Sequence, residues 1–305
     1  VRNEDLLRGI GIVRFSFVIF GVRPEHSSRL VQRAESLGFD AVWFGDHIVN
    51  PVASRSRYPY SASGSAGYSV DTPLGDVWVS IAHASALTES IALGPSVLIL
   101  PLRHPAAVAQ AAVTAQNASG GRLRLGLGAG WLREEFDALQ IPFDSRGRRM
   151  DEALEIIRRL WTGEEVAFEG EFFRVQQPVK LGMTPMRPIP VTIGGGSPPA
   201  LRRAARWSGW NAPELALEDV VRLREKLLRL PDVGGHAPES FRIYAKAPGI
   251  ETDLLRRYQA AGFEDVVVPF RALYAKEGPI SLERHLGALE QLAERVMIPE
   301  LVGSE

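Results

Sequence analysis

Apolar positions along the chain follow two alternating periods. Short apolar runs rich in β-branched residues lie near 12–19, 41–45, 91–99, 123–129, 190–194, 208–212, 241–247 and 265–269, and these predict strands. Longer stretches of helical period predict helices over 24–37, 76–88, 105–118, 147–161, 198–207, 218–229, 251–261 and 281–296. Pro24 and Pro105 stand where a first helical turn accepts proline, and Gly38 and Gly120 follow two of the helices in cap position. The last helix carries Leu282, Leu286, Leu289, Ala293 and Val296 on one face and Glu283, Arg284, Glu290 and Glu294 on the other.

The joints repeat. "SLGFDAVWF" (Ser36 to Phe44) and "AAGFEDVVV" (Ala260 to Val268) share a helix end, a capping glycine, a phenylalanine, an acid and an apolar strand. Strands and helices alternate without a composition break. This predicts an α/β fold, one (β/α)8 TIM barrel over residues 1–305, with 1–10 set aside as a tail. Two insertions overrun it at the C-terminal face. One, about 50–76, is rich in Ser, Gly, Pro and Tyr; the other, about 162–190, carries a hairpin signal around Glu169–Gly170.

Composition narrows the function classes. Lys plus Arg is 35 against 36 for Asp plus Glu, so no global field draws the chain to nucleic acid or an anionic membrane. No apolar run reaches the ~18 residues of a membrane span. Cysteine is absent, which removes disulfides and thiolate chemistry. The expectation is a soluble, cytoplasmic protein acting on a small molecule. Six scattered histidines, and the absence of H-E-x-x-H, Walker A and G-x-S-x-G patterns, predict no metal site and no nucleophile elbow.

Barrel chemistry gathers at the carboxyl ends of the strands. The second strand runs into "WFGDHIVNP", bringing Asp46 and His47 to that rim, where the pair reads either as a strand-end turn or as working chemistry. "GRLRLGLGAGWLREEF" ends the fourth strand; it places Trp131 where a dinucleotide loop needs glycine. After the fifth strand, "IGGGSPP" sets Gly194, Gly195, Gly196 and Ser197 before a helix, a pattern suited to phosphate.

"FDAVWFGDHIVNP", "LGPSVLILPLRHPA", the long run from Gly120 to Glu164 and "VTIGGGSPPALRRAARWSGWN" together resemble the bacterial luciferase-like superfamily, most closely its branch of oxidoreductases dependent on the deazaflavin coenzyme F-420. The resemblance implies a barrel, usually dimeric, holding a flavin or deazaflavin. By position it implies that Asp46 contacts the cofactor and that His47 stands beside the reactive ring carbon. It further implies that Ser96–Val97 forms a bulge with a cis peptide bond, that Gly128, Gly130 and Glu134 lie near the ring and ribityl chain, and that Gly194 to Ser197 hold the phosphate.

Trp131 replaces the catalytic glutamate of sugar-phosphate dehydrogenases in this group, and with Tyr58, Tyr60 and Tyr68 it is expected to line the substrate pocket. Arg55, Arg57, Arg103, Arg202 and Arg203 are expected to meet the anionic tail of the deazaflavin. The expected activity is hydride transfer between coenzyme F-420 and a small organic substrate. The alternatives are an FMN-dependent monooxygenase served by a flavin reductase, and a non-catalytic flavin-binding barrel.

Overall fold

The computed structural model describes residues 12–235, 241–273 and 280–302; the expected tail, 1–10, lies outside them. The elements run β1 (Arg14–Ile19), α1 (Pro24–Ser36), β2 (Ala41–Phe44), α2 (Val77–Ser85), β3 (Ala92–Pro95), β4 (Leu98–Ile99), α3 (Pro105–Ala118) and β5 (Leu125–Gly128). They continue through α4 (Arg133–Ala138), α5 (Arg146–Leu160), β6 (Val166–Glu169), β7 (Arg174–Val179), β8 (Val191–Gly194), α6 (Pro198–Ala205) and β9 (Gly209–Asn211). The remainder is α7 (Leu217–Leu228), β10 (Arg242–Lys246), α8 (Thr252–Ala260), β11 (Asp265–Val268), α9 (Leu282–Val296) and α10 (Pro299–Val302).

The main sheet is parallel, in the order β3-β2-β1-β11-β10-β9-β8-β5-β4. Its two ends, β3 and β4, are successive pieces of one barrel strand interrupted at Ser96–Val97, and a Leu93–Leu123 bridge draws the ends together. The fold is therefore a (β/α)8 barrel, as the alternation predicts. β6 and β7 form a separate antiparallel pair, the hairpin expected around Glu169–Gly170.

The two echoing joints share one geometry. Gly38 has φ 84° and Gly262 φ 76°, and in each the following phenylalanine amide reaches back five residues, Phe39 to the Ala34 carbonyl and Phe263 to that of Tyr258, both at 3.1 Å. Glycine takes the left-handed conformation without penalty, and the backward bond caps the helix as the chain turns into the next strand.

Strand alternation then sorts side chains between two cores. Phe15, Phe17, Val42, Phe44 and Leu93 face the helices. Ala41, Trp43, Ala92, Tyr244 and Val267 face inward. Trp43 and Tyr244 meet edge to face at 4.7 Å, and Trp43 Nε1 donates to the Ser16 hydroxyl at 3.0 Å, filling the barrel interior. Two residues onward along the same strands stand Val18, Gly45 and Lys246, which line a cavity at the carboxyl end. At the amino end Asp265 accepts from Arg14 and Arg242, tying β1, β10 and β11. The inward stripe of α9 is His285, Ala288, Leu289, Leu292, Ala293 and Val296; Leu282 and Leu286 lie at its half-buried margin.

Candidate active site

The cavity holds about 670 Å³ and is bounded by the carboxyl ends of the strands and by the segment 50–76. A volume of this size suits a cofactor-sized ligand. His47, Asp46, Ser96, Val97, Gly128, Gly130, Trp131, Tyr58, Tyr60, Tyr68, Gly194, Gly195 and Ser197 all line it. Gly196 sits just behind this wall. The expected rim residues thus meet in one place, although several do something other than the sequence suggests.

Asp46 is the clearest case. It is buried, and both of its oxygens are taken: Oδ2 accepts from the Ile99 amide at 2.8 Å, and Arg103 forks onto both oxygens at 2.7 and 2.8 Å. Burial pushes the Asp46 carboxyl above its ordinary range, while Arg103 opposes that shift. Asp46 therefore fixes the chain after the bulge. Arg103 is committed to Asp46 through both of its terminal nitrogens.

Of the other arginines expected to meet an anionic tail, Arg203 lines the cavity but also pairs with Asp151. Arg57 donates to the Ser63 carbonyl, and Arg55 and Arg202 are exposed. Arg146, which the sequence did not single out, lines the cavity with its guanidinium over the Phe143 ring.

The Ser96–Val97 peptide bond is cis, as expected. Val97 explains two of the glycines. A Cβ on Gly128 would stand 2.5 Å from Val97 Cγ2, and one on Gly194 would stand 2.8 Å from Cγ1. These positions are glycine because the bulge drives a valine between them; backbone approach by a ligand is not needed to explain them. Gly130, at φ 82°, turns the chain toward α4.

The turn from Gly194 to Ser197 is built for an oxygen. Gly195 has φ 110°, the Ser197 hydroxyl accepts from the Ala200 amide at 3.4 Å as the helix cap, and the Gly196 amide donates to the Tyr60 hydroxyl at 3.0 Å. A tyrosine oxygen thus occupies the donor that a phosphate oxygen would use.

His47 is held on both nitrogens. Nδ1 lies 2.7 Å from Glu135 Oε2 and Nε2 lies 3.3 Å from the Tyr68 hydroxyl. Glu135 is fully buried, and its other oxygen accepts from the Ile48 amide at 2.6 Å. Burial and the nearby Glu135 push the Tyr68 phenol up to about 12, so it keeps its proton.

Glu134, expected near the cofactor, does not line the cavity. Its Oε1 accepts from the Arg55 and Ser56 amides at 2.6 and 3.1 Å, pinning the segment 50–76, and against the raising effect of desolvation the Ser56 side chain and the backbone amides hold its carboxyl down to about 2. The neighbouring Glu135 was missed. Its signal lay in helical spacing: with Leu132 and Phe136 buried, the same face of α4 includes Glu135 and excludes Glu134.

An aromatic run closes the outer wall. Tyr60, Tyr58, Trp131, His47 and Tyr68 follow one another edge to face or tilted, with ring centroids 5.3 to 6.1 Å apart. On the inner side the Ser96 hydroxyl donates to Oδ1 of the buried Asn211 at 3.1 Å, and the Asn211 Nδ2 has no partner. Lys246 lines the same floor. Burial lowers its ammonium to about 8, with Glu214 opposing. Among the described residues no cluster of His, Asp and Glu could hold a metal ion, and no helix is long and apolar enough to cross a membrane.

Comparison with known proteins gives a consistent picture. The family described as luciferase-like monooxygenase matches residues 21–253. An uncharacterized protein of Mycobacterium tuberculosis is 34% identical over 271 residues, 88% of this chain and 93% of that protein. An F-420-dependent hydroxymycolic acid dehydrogenase of the same species is 33% identical over 222 residues, 71% of this chain and 56% of that protein.

Among solved structures, the coenzyme F-420-dependent tetrahydromethanopterin reductase of Methanopyrus kandleri superposes with a TM-score of 0.70 at 16% identity, covering 95% of this chain and 100% of that one. The monooxygenase RslO1 of Streptomyces bottropensis superposes with a TM-score of 0.69 at 21% identity, covering 93% and 99%.

Proposed function

Because this chain belongs to the luciferase-like monooxygenase family, we propose that its cavity binds the deazaflavin coenzyme F-420 and that the protein exchanges a hydride between that coenzyme and a small organic substrate. The observation that carries this reading is the imidazole of His47, anchored from behind and turned toward the cavity with Nε2 beside a phenol. An enzyme that moves a hydride must also move a proton, and an imidazole does so near neutral pH.

The residues present fit the coenzyme. Gly194, Gly195 and Ser197, with the Gly196 amide behind them, would hold the phosphate, and Arg146 and Arg203 line the same wall. The unpartnered Nδ2 of Asn211 offers a donor to the acceptor-rich edge of the ring. The coenzyme, when bound, supplies a carbon that accepts or gives up hydride. The chain's own residues do the rest: Trp131 and Tyr58 cover the reacting face and keep water out, and His47 takes or returns the proton of the substrate oxygen. The F-420-dependent dehydrogenase relative supports this choice of cofactor.

The second reading is an FMN-dependent monooxygenase, in keeping with the family's description as luciferase-like monooxygenase. Titration separates the two. Micromolar or tighter binding of coenzyme F-420, followed by absorbance and fluorescence and weakened by salt, is the expected result. Tight FMN binding with oxygen consumption on reduction would establish the monooxygenase instead.

A further inference from the structure

We infer that Glu135 is a positioning residue that locks His47 as the Nδ1–H tautomer, leaving Nε2 as a bare acceptor aimed at a substrate hydroxyl. The inference rests on the proton role proposed above for His47. The geometry beneath it does not.

Glu135 is fully buried at 0% exposure and is acceptor-only when ionised. Its Oε1 is committed to the Ile48 amide at 2.6 Å, which fixes the carboxylate plane against the chain that carries the imidazole. Oε2 then stands 2.7 Å from Nδ1, and an ionised carboxylate is satisfied there only by a protonated Nδ1. The proton therefore sits on Nδ1, and a neutral ring must leave Nε2 bare.

The Tyr68 hydroxyl lies 3.3 Å from Nε2, where it can donate to a bare nitrogen. A ligand oxygen that displaces this contact meets one acceptor, Nε2, and one donor, the Tyr68 hydroxyl.

A hydroxyl both donates and accepts, so an alcohol matches this pair where a bare alkene does not. In the oxidising direction Nε2 would take the alcohol O–H proton, and a bound oxidised deazaflavin would supply the acceptor for the C–H hydride. The C–O bond becomes a carbonyl, and the imidazolium formed is stabilised by the carboxylate behind it. The reverse direction returns both.

The test is spectroscopic and needs neither coenzyme nor substrate. Protein carrying ¹⁵N-histidine is examined at about pH 9, where an ordinary imidazole is neutral. The His47 signals are assigned by their loss in His47→Asn. The expected wild-type pattern is a protonated Nδ1 and a bare Nε2; a protonated Nε2 overturns the inference without recourse to any variant.

Glu135→Gln keeps a carbonyl for the Ile48 amide and turns an NH2 toward Nδ1, so the tautomer is expected to switch to Nε2–H. Retention of the wild-type tautomer in that variant also overturns it. Tyr68→Phe is expected to leave the proton on Nδ1; a switch there would assign the role to Tyr68. Failure of F-420 to bind would bear on the cofactor alone, since the tautomer is read in the ligand-free protein.

Discussion

The Tyr60 hydroxyl accepts the Gly196 amide hydrogen at 3.0 Å, so the segment 50–76 reaches into the glycine turn that precedes α6. A phosphate oxygen and this phenol would compete for one donor. Removing the phenol oxygen while keeping the ring is expected to tighten binding, because the competing bond is worth about 0.5–1.5 kcal/mol, a factor of ~2–10. Tyr60→Phe is therefore expected to bind coenzyme F-420 ~2–10-fold more tightly in an absorbance titration. Weaker binding would make Tyr60 a ligand of the phosphate, and unchanged binding would place the phosphate elsewhere.

Val97 and Gly128 form a second linked pair. A Cβ at 128 would meet Val97 Cγ2 at 2.5 Å, on a β-branched side chain with little room to turn away. Gly128→Ala is expected to cost about 1–3 kcal/mol in urea unfolding, the range for overpacking a tight site. Adding Val97→Ala removes the opposing methyls, so the double variant is expected to recover part of that loss. If the two costs simply add, the glycine answers to something other than the bulge.

Asp46 and Arg103 are expected to stand or fall together. Asp46→Asn leaves the Arg103 guanidinium, only 15% exposed, without its bidentate partner. Removing one member of a buried pair costs about 3–5 kcal/mol, more than removing both. Asp46→Asn is thus expected to be less stable than the double variant carrying Arg103→Met as well. The opposite order in urea denaturation would mean that Asp46 is held chiefly by the Ile99 amide.

Most of the barrel was legible because local signals and the global fold agree. Pro105 and Gly120 bracket α3, and the Gly38 and Gly262 joints share in sequence a glycine, a phenylalanine and an acid before an apolar strand. The break between β3 and β4 was legible only through family resemblance, since nothing in "PSVLI" distinguishes a bulge from a straight strand. Partner choice was the hardest part to read. Whether Arg103 meets a ligand or Asp46, and whether Gly128 admits a cofactor or Val97, depends on residues distant in sequence. Glu134 and Glu135 are chemically identical neighbours. Only the burial of Leu132 and Phe136 tells which of them faces the imidazole.

Lys246 gives a pH-dependent prediction. It stands two residues beyond Tyr244 on the inward face of β10, and burial lowers its ammonium from 10.5 to about 8, with Glu214 offsetting part of the cost. The folded state therefore releases its proton before the unfolded chain does. Between about pH 8 and 10.5 the unfolded state binds more protons, so the contribution of this site to stability rises with pH through that window. Below pH 8 the full penalty of a buried charge is present.

Methionine has a similar length and no charge. Lys246→Met is therefore expected to be more stable than the wild type at neutral pH by on the order of 3 kcal/mol. The difference should shrink through the same window and vanish near its upper end. Urea unfolding of both proteins across that range checks it. A difference independent of pH would mean that Lys246 keeps its charge in the folded protein and that the gain comes from packing. A loss of stability in Lys246→Met at neutral pH would show that attraction to Glu214 outweighs the desolvation of the ammonium.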